Sequence, residues 1–189
     1  MSDDGLVRCG WAIGDLYRDY HDNEWGRPLR DPVALFERLS LEAFQSGLSW
    51  LTILRKRENF RRAFDGFDIE TVARYTDADV VRLMADESIV RNRAKIEATI
   101  ANARAAADLG ADDLSELLWS FAPAPRHVSL RPADPSEVPS ATAESTAMAR
   151  ELKRRGFRFV GPTTAYALMQ ATGMVDDHLR SCFVAPITG

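Results

Sequence analysis

The chain has 189 residues, of which 46% are apolar and 28% charged, with a net charge of −4. That length predicts a single globular domain, residues 1–189, with a sizeable core, and two small lobes as the alternative. No apolar run approaches the ~18 residues needed to span a bilayer, and the negative balance argues against a general nucleic-acid binder. The opening Met-Ser-Asp-Asp-Gly is no export signal. Two cysteines, Cys9 and Cys182, are too few for a disulfide scaffold, so a cytoplasmic monomer with no membrane partner is expected.

The first thirty residues are marked by aromatics: Trp11, Tyr17, Tyr20 and Trp25. Asp31-Pro32 then supplies an N-cap and a proline at the first helical position, which predicts a helix to about Gln45. Gly47 breaks it, and Ser49 caps a second helix running into Arg62. Asp68 opens a short helix, and Thr76 and Asp79 have capping-box spacing at the head of another. Ser88 starts a long helix that Gly110 ends in a left-handed cap, and 113–121 forms the next. Five of the nine prolines lie in 122–139, which predicts an ordered but irregular connection. Residues 140–155 read as helix and Gly156 stops it; Pro162 begins the last one. No segment alternates with period two, so the fold class is all-α.

Charge is uneven. Residues 54–62 hold five Arg/Lys against Glu58, and residues 151–158 hold four Arg/Lys against Glu151. Two basic patches on an acidic body fit either localised phosphate contact or solvated helix faces. The second patch precedes a turn bounded by Gly156 and Gly161, with Pro162 at the head of a helix. Backbone amides beside a helix N-terminus, with Arg154 and Arg155 close by, form a phosphate seat. An ordinary helical corner has the same outline.

Glu42 is the one charged residue between Leu39 and Leu54. A carboxyl among so many apolar neighbours is either paired, protonated or poised for chemistry. In a helix Leu35, Leu39, Glu42 and Ser46 share a face, so Glu42 points where the leucines point. Trp50 follows eight residues later. The clustered aromatics read either as core or as a stacking pocket; with Glu42 at its floor, such a pocket suits a cationic, electron-poor base.

Cys9 precedes His21, and His178 precedes Cys182 at one-turn spacing. Two thiolates and two imidazoles complete a tetrahedral zinc site with no open position, which marks a structural ion. The other reading is two buried cysteines and two surface histidines. A bound ion would tie the two ends of the chain together.

Cys9-Gly10-Trp11, Tyr20-His21-Asp22-Asn23-Glu24-Trp25-Gly26, Leu41-Glu42 with Gly47-Leu48-Ser49-Trp50, Lys56-Arg57-Glu58-Asn59, Leu118-Trp119-Ser120-Phe121, Lys153-Arg154-Arg155-Gly156-Phe157 with Phe159-Val160-Gly161, and Asp177-His178 occur in this order. Together they resemble the 3-methyladenine DNA glycosylase I family, within the helix–hairpin–helix glycosylase superfamily. The resemblance implies one structural Zn2+ on Cys9, His21, His178 and Cys182. It implies recognition of a flipped 3-methyladenine by Glu42 and Tyr20, with Trp50 and Tyr17, beside Trp11, stacking or lining the pocket. It implies that Leu48, after Gly47, pushes into alkylated double-stranded DNA, and that the hairpin lies near 140–173. No lysine adjoins Glu42, so a hydrolase without a strand-cleaving step is expected. Ala43 and Ser46 depart from the family pattern and would narrow the pocket. Asp176 stands where the wider superfamily carries a catalytic aspartate; it either caps a helix bearing His178 or stabilises a cationic sugar. The rival class is a zinc-stapled DNA-damage binding module without catalysis, which would share the basic hairpin and the aromatics.

Overall fold

The computed structural model describes residues 5–125 and 127–186. Residues 1–4, the segment read as no export signal, lie outside them. Nine α-helices occupy the described residues, with no strand among them, as the absence of period-two patterning predicts. They are α1 (Asp15–Asn23), α2 (Pro32–Gln45), α3 (Trp50–Ala63), α4 (Ile69–Ala73), α5 (Asp77–Ala85), α6 (Arg93–Leu109), α7 (Ala111–Trp119), α8 (Ala143–Arg154) and α9 (Pro162–Ala171). No described helix is long and apolar enough to cross a membrane.

Local signals set the starts. The Asp31 carboxylate accepts from the Ala34 amide ahead of α2, the Ser49 hydroxyl from Thr52 ahead of α3, and Asp68 from Thr71 ahead of α4. Asp79 accepts from the Thr76 amide, completing the expected capping box at α5. α6 begins at Arg93, five residues later than the expected Ser88. Asn92 is its cap, and Ser88 is spent elsewhere: its amide donates to Asp86, and its carbonyl accepts from Lys56 and Asn59 of α3. Gly110 ends α6 with φ 90° and ψ 141°, outside the left-handed helical region expected of it. α8 likewise starts late, where Thr142 and Ser145 form a capping box.

α2 is the central element. It packs against α3, α6, α7 and α9, and Leu35 to Phe44 is buried apart from Glu37. A helix buried on every side presents any side chain to the interior, which is why Glu42 is inside. The expected common face does not extend to Ser46, which leaves the helix as its C-cap. The core beneath α2 is aromatic: Phe36, Phe44, Phe60, Phe64 and Phe67 are fully buried, with Phe44 and Phe60 rings 4.7 Å apart. Removing one such ring costs about 3–5 kcal/mol.

The basic stretch 54–62 holds the fold together. Arg57 donates twice to Glu24, Arg61 to Glu37 and Glu58, and Lys56 to the carbonyls of Glu87 and Ser88. These ion pairs and carbonyl contacts absorb most of the charge read as a possible phosphate patch.

Candidate active site and Cys/His centre

α1, unrecognised in the sequence, carries Tyr17, Tyr20 and His21 at spacings that face one side of a helix. It lays them against α2 and α3, so Tyr20 and Trp50 rings meet at 5.6 Å. Trp11 stands edge-on to Tyr17 at 5.7 Å and to Trp25 at 5.1 Å. These five rings and Glu42 line a cavity of about 390 Å³. The expected substrate residues Glu42, Tyr20, Tyr17, Trp50 and Trp11 therefore share one wall set. Further lining, unread in the sequence, comes from Pro135 and Val138 of the proline-rich segment, Ala167 and Gln170 of α9, and Asp177. No lysine is among the lining residues. Ala43 and Ser46 are not among them either, so their departures do not narrow this cavity.

Glu42 is 6% exposed, and no hydrogen bond or ion pair reaches its carboxyl among the described residues. Burial pushes its pKa up to about 7, against a partial pull downward from the Arg38 charge. Arg38, one helical turn earlier, is the cation the sequence reading passed over. Its guanidinium donates to the Tyr20 hydroxyl at 2.8 Å and to Glu24 at 3.2 Å. Burial first, and Glu42 and Glu24 beside it, push the Tyr20 hydroxyl upward despite Arg38, so it stays a neutral phenol. Glu24, raised by burial but outweighed by Arg57 and Arg38, is held below the ordinary carboxylate range. The Tyr17 hydroxyl accepts from the Leu51 amide at 2.9 Å, fixing its ring beside α3. The Trp50 indole N–H is buried and has no partner. An unsatisfied carboxyl on the cavity wall suits a ligand that carries a complementary donor.

Asp176 does not line the cavity. Its carboxylate pairs with buried Arg131 at 2.7 Å and accepts from the His178 amide at 3.3 Å. There is no helix at 178–182 for it to cap. The neighbouring Asp177 faces the cavity instead, accepting from the Tyr166 hydroxyl at 2.5 Å and from Gln170 at 2.9 Å.

Cys9, His21, His178 and Cys182 converge, with their ligand atoms all within 4.8 Å of one another. Cys182 Sγ lies 3.4 Å from His21 Nε2 and 3.6 Å from His178 Nδ1, and Cys9 Sγ lies 3.7 Å from His178 Nδ1. The outward ring nitrogens are occupied: His21 Nδ1 meets Asp22 at 2.8 Å, and His178 Nε2 meets the Trp25 carbonyl at 3.2 Å. Arg8 in turn holds Asp22 at 2.7 Å. Outer partners of this kind fix tautomer and ring direction in metal sites. Gly26 makes the approach possible: its φ is 74°, and a Cβ there would sit 2.8 Å from His178 Nε2. The expected helical spacing of His178 and Cys182 is realised by a turn, with the Cys182 amide donating to Leu179.

Leu48 is 41% exposed at the turn between α2 and α3, next to Gly47. α8, the turn at 155–161 and α9 form the hairpin. Arg154 and Arg155 both donate to Glu151 at 2.6 Å. Gly156 has φ 93°, a conformation that favours glycine. Gly161 caps α9 with φ −87°, and a Cβ there would meet no atom of the protein within 4 Å. Nothing inside the chain requires glycine at 161.

A family model described as methyladenine glycosylase matches residues 11–185. The DNA-3-methyladenine glycosylase 1 of Escherichia coli (strain K12) is 46% identical over 184 residues, covering 96% of this chain and 98% of that protein. The DNA-3-methyladenine glycosylase of Haemophilus influenzae (strain ATCC 51907 / DSM 11121 / KW20 / Rd) is 45% identical over 180 residues, covering 93% and 96%. Among solved structures, a 3-methyladenine DNA glycosylase I from Staphylococcus aureus, described in terms of 3-methyladenine recognition, superposes with a TM-score of 0.90 at 36% identity, covering 97% of this chain and 99% of that one. A crystal structure of 3-methyladenine DNA glycosylase I gives 0.88 at 43% identity, covering 95% and 100%.

Proposed function

We propose that this chain, which belongs to the methyladenine glycosylase family, is a base-excision repair enzyme that removes 3-methyladenine from alkylated double-stranded DNA. The observation that carries the reading is Glu42, a buried carboxyl on an aromatic cavity with no partner of its own. Methylation at N3 leaves the adenine cationic while it is attached to the sugar. An anionic acceptor in a low-dielectric pocket prefers that base over neutral adenine.

The glycosidic bond breaks with its electron pair passing to the base, which departs neutral. Water oxygen bonds to the anomeric carbon and gives its proton to solvent. The base needs no proton from the protein, so the side chains extract, hold and stabilise. Glu42 accepts from the base edge and stabilises its charge. Tyr20, kept neutral and oriented by Arg38, supplies a hydroxyl beside it. Trp50, Tyr17 and Trp11 enclose the ring, at about 1–3 kcal/mol per stacked base. No lysine lines the cavity to form an imine, which supports hydrolysis without strand cleavage. We assign Asp176 to the frame of the site through its Arg131 pair, with no contact to the base.

The Cys/His group fits a single structural zinc, because two thiolates and two imidazoles with occupied outer nitrogens fill a tetrahedron. Held by four protein ligands, the ion would supply no reaction chemistry and would pin the N-terminal aromatics to the C-terminal segment.

Incubating the protein with methylated duplex should release free 3-methyladenine and leave abasic sites that break only on later alkali treatment. Binding without release would establish the damage-binding module instead. Release of 7-methylguanine in equal yield would mark a broad alkyl-base enzyme.

For the DNA contacts, Leu48 fills the gap left by the flipped nucleotide and the 155–161 hairpin seats a phosphate. Leu48→Ala should slow single-turnover base release while loose duplex binding stays near parental, because a wedge acts only after unstacking begins. Arg154→Gln with Arg155→Gln should instead weaken binding to every duplex and reduce the salt slope by about 1–2. An unchanged slope would place the phosphate seat elsewhere.

A further inference from the structure

The Leu48 turn and the 155–161 hairpin are remote in sequence, and both are anchored to one face of α6. Lys95 is 7% exposed, and its ammonium donates to the carbonyl of Phe44 at 2.8 Å and of Ser46 at 2.5 Å. Phe44 lies in the last turn of α2 and Ser46 is its C-cap, directly before Gly47 and Leu48. Two helical turns further on, Asn102 is 1% exposed and grips Arg158 of the hairpin from both sides. Its Nδ2 donates to the Arg158 carbonyl at 3.1 Å, and its Oδ1 accepts from the Arg158 amide at 2.7 Å. Seven residues at the helical rise separate the two anchors by roughly 10 Å along a rigid axis.

Both contacts satisfy backbone groups and fill no apolar core. An ammonium buried against two carbonyls is costly to desolvate, yet an apolar residue there would leave the carbonyls of Phe44 and Ser46 unpaired. Burial lowers the Lys95 pKa. What the two side chains share is their targets: each holds the backbone of one element proposed to touch DNA, and neither lines the cavity. We infer that α6 is a strut that sets the spacing between the wedge turn and the phosphate hairpin, with Lys95 and Asn102 as positioning residues for base extraction. The inference rests on the glycosylase reading and on the two DNA elements assigned to it.

The test compares Lys95→Met, Asn102→Ala and the double variant, with Leu48→Ala as reference. Affinity for free 3-methyladenine should stay within about twofold of parental, because the pocket keeps its walls. Single-turnover release from methylated duplex should fall roughly tenfold or more in each single variant, the size expected when a contacting element is misplaced by under an ångström. Once one joint is broken the strut no longer couples the elements, so the double variant should fall by less than the product of the singles. Lys95→Arg, which keeps the donors, should recover most of the rate. A double-variant loss equal to the product would reduce the residues to two independent supports and overturn the strut. So would a matching loss of free-base affinity. If Lys95→Met does not fold, amide exchange in Asn102→Ala decides: the strut requires faster exchange at Leu48, whose N–H bonds Gln45 at 2.6 Å, and parental exchange there overturns it. A Leu48→Ala defect beside full activity in the α6 variants defeats the strut alone, whereas full activity in Leu48→Ala defeats the wedge on which it rests.

Discussion

Glu42→Gln is expected to remove Glu42's contribution to the pH dependence of the protein's stability between about 4.5 and 8, and with it the activity limb near neutrality. The carboxyl has a folded pKa of about 7, raised first by burial and only partly offset by Arg38. Unfolded, it titrates near 4.5. A group that holds its proton more tightly when folded contributes stability in full below the unfolded pKa. That contribution is lost as pH rises through the folded one. At pH 8 the parent therefore carries a penalty on the order of 3 kcal/mol from an ionised, unpartnered Glu42. The glutamine variant keeps the shape and never pays it, so urea midpoints of the two proteins should diverge steadily from pH 5 to pH 8.

The same ionisation is what a cationic base requires. Base release by the parent, as kcat/KM, should rise with pH through about 7 as the carboxylate forms. In Glu42→Gln that limb disappears, and the rate at pH 8 drops by roughly ten- to a hundredfold, the worth of one charge-assisted hydrogen bond. Tyr20, the hydroxyl beside Glu42, stays a neutral phenol over this range because burial raises its pKa, so the limb belongs to Glu42. Equal slopes of stability against pH in both proteins would show that Glu42 is ionised and satisfied in the folded state, and would remove the pocket chemistry proposed above.

Glu42 was legible in the sequence because its isolation among apolar residues is a local property. The same holds for the caps at Asp31, Ser49, Asp68 and Thr76, where a side chain and an amide three residues apart decide the matter. The Cys/His set was legible from residue type, although a turn and not a helix brings His178 and Cys182 together. What escaped was settled by distant contacts. α1 has no side-chain cap: it begins after Gly14, and its sequence is dominated by aromatics and charge. Its helicity is fixed by packing Tyr20 and His21 against the core and the cysteines. Arg38 escaped because its target, the Tyr20 hydroxyl, lies eighteen residues away in the chain. The start of α6 moved because Ser88 bonds α3, 32 and 29 residues earlier. Asp176 and Asp177 are adjacent, and only Arg131, from the proline-rich segment, settles which of them leaves the cavity.

Removing the proposed zinc should cost stability and spare base preference. The parent, purified without chelator, is expected to carry one zinc per chain, and Cys182→Ser to carry none. An ion held by residues 9 and 182 closes nearly the whole chain into one loop, so its loss should cost about 4 kcal/mol or more at zinc levels far above the dissociation constant. Two further variants separate the ion from its surroundings. Gly26→Ala places a Cβ 2.8 Å from His178 Nε2 in a backbone conformation with φ 74°. It should push the imidazole off the Trp25 carbonyl and lower zinc affinity with all four ligands still present. Asp22→Asn removes the charge behind His21 Nδ1 and should weaken zinc roughly 10- to 100-fold. Because Trp11 and Trp25 pack on His21 and His178 within 5.2 Å, metal loss loosens one wall of the cavity and weakens base binding as a secondary effect. Glu42 sits on α2, held by the core, so the folded fraction of Cys182→Ser should keep its activity limb near pH 7. Metal analysis that finds no zinc in the parent, or Cys182→Ser melting at the parental temperature, would leave the four residues as a packed cluster with no ion. Loss of the pH limb in a folded, zinc-free variant would show instead that the metal governs Glu42 directly.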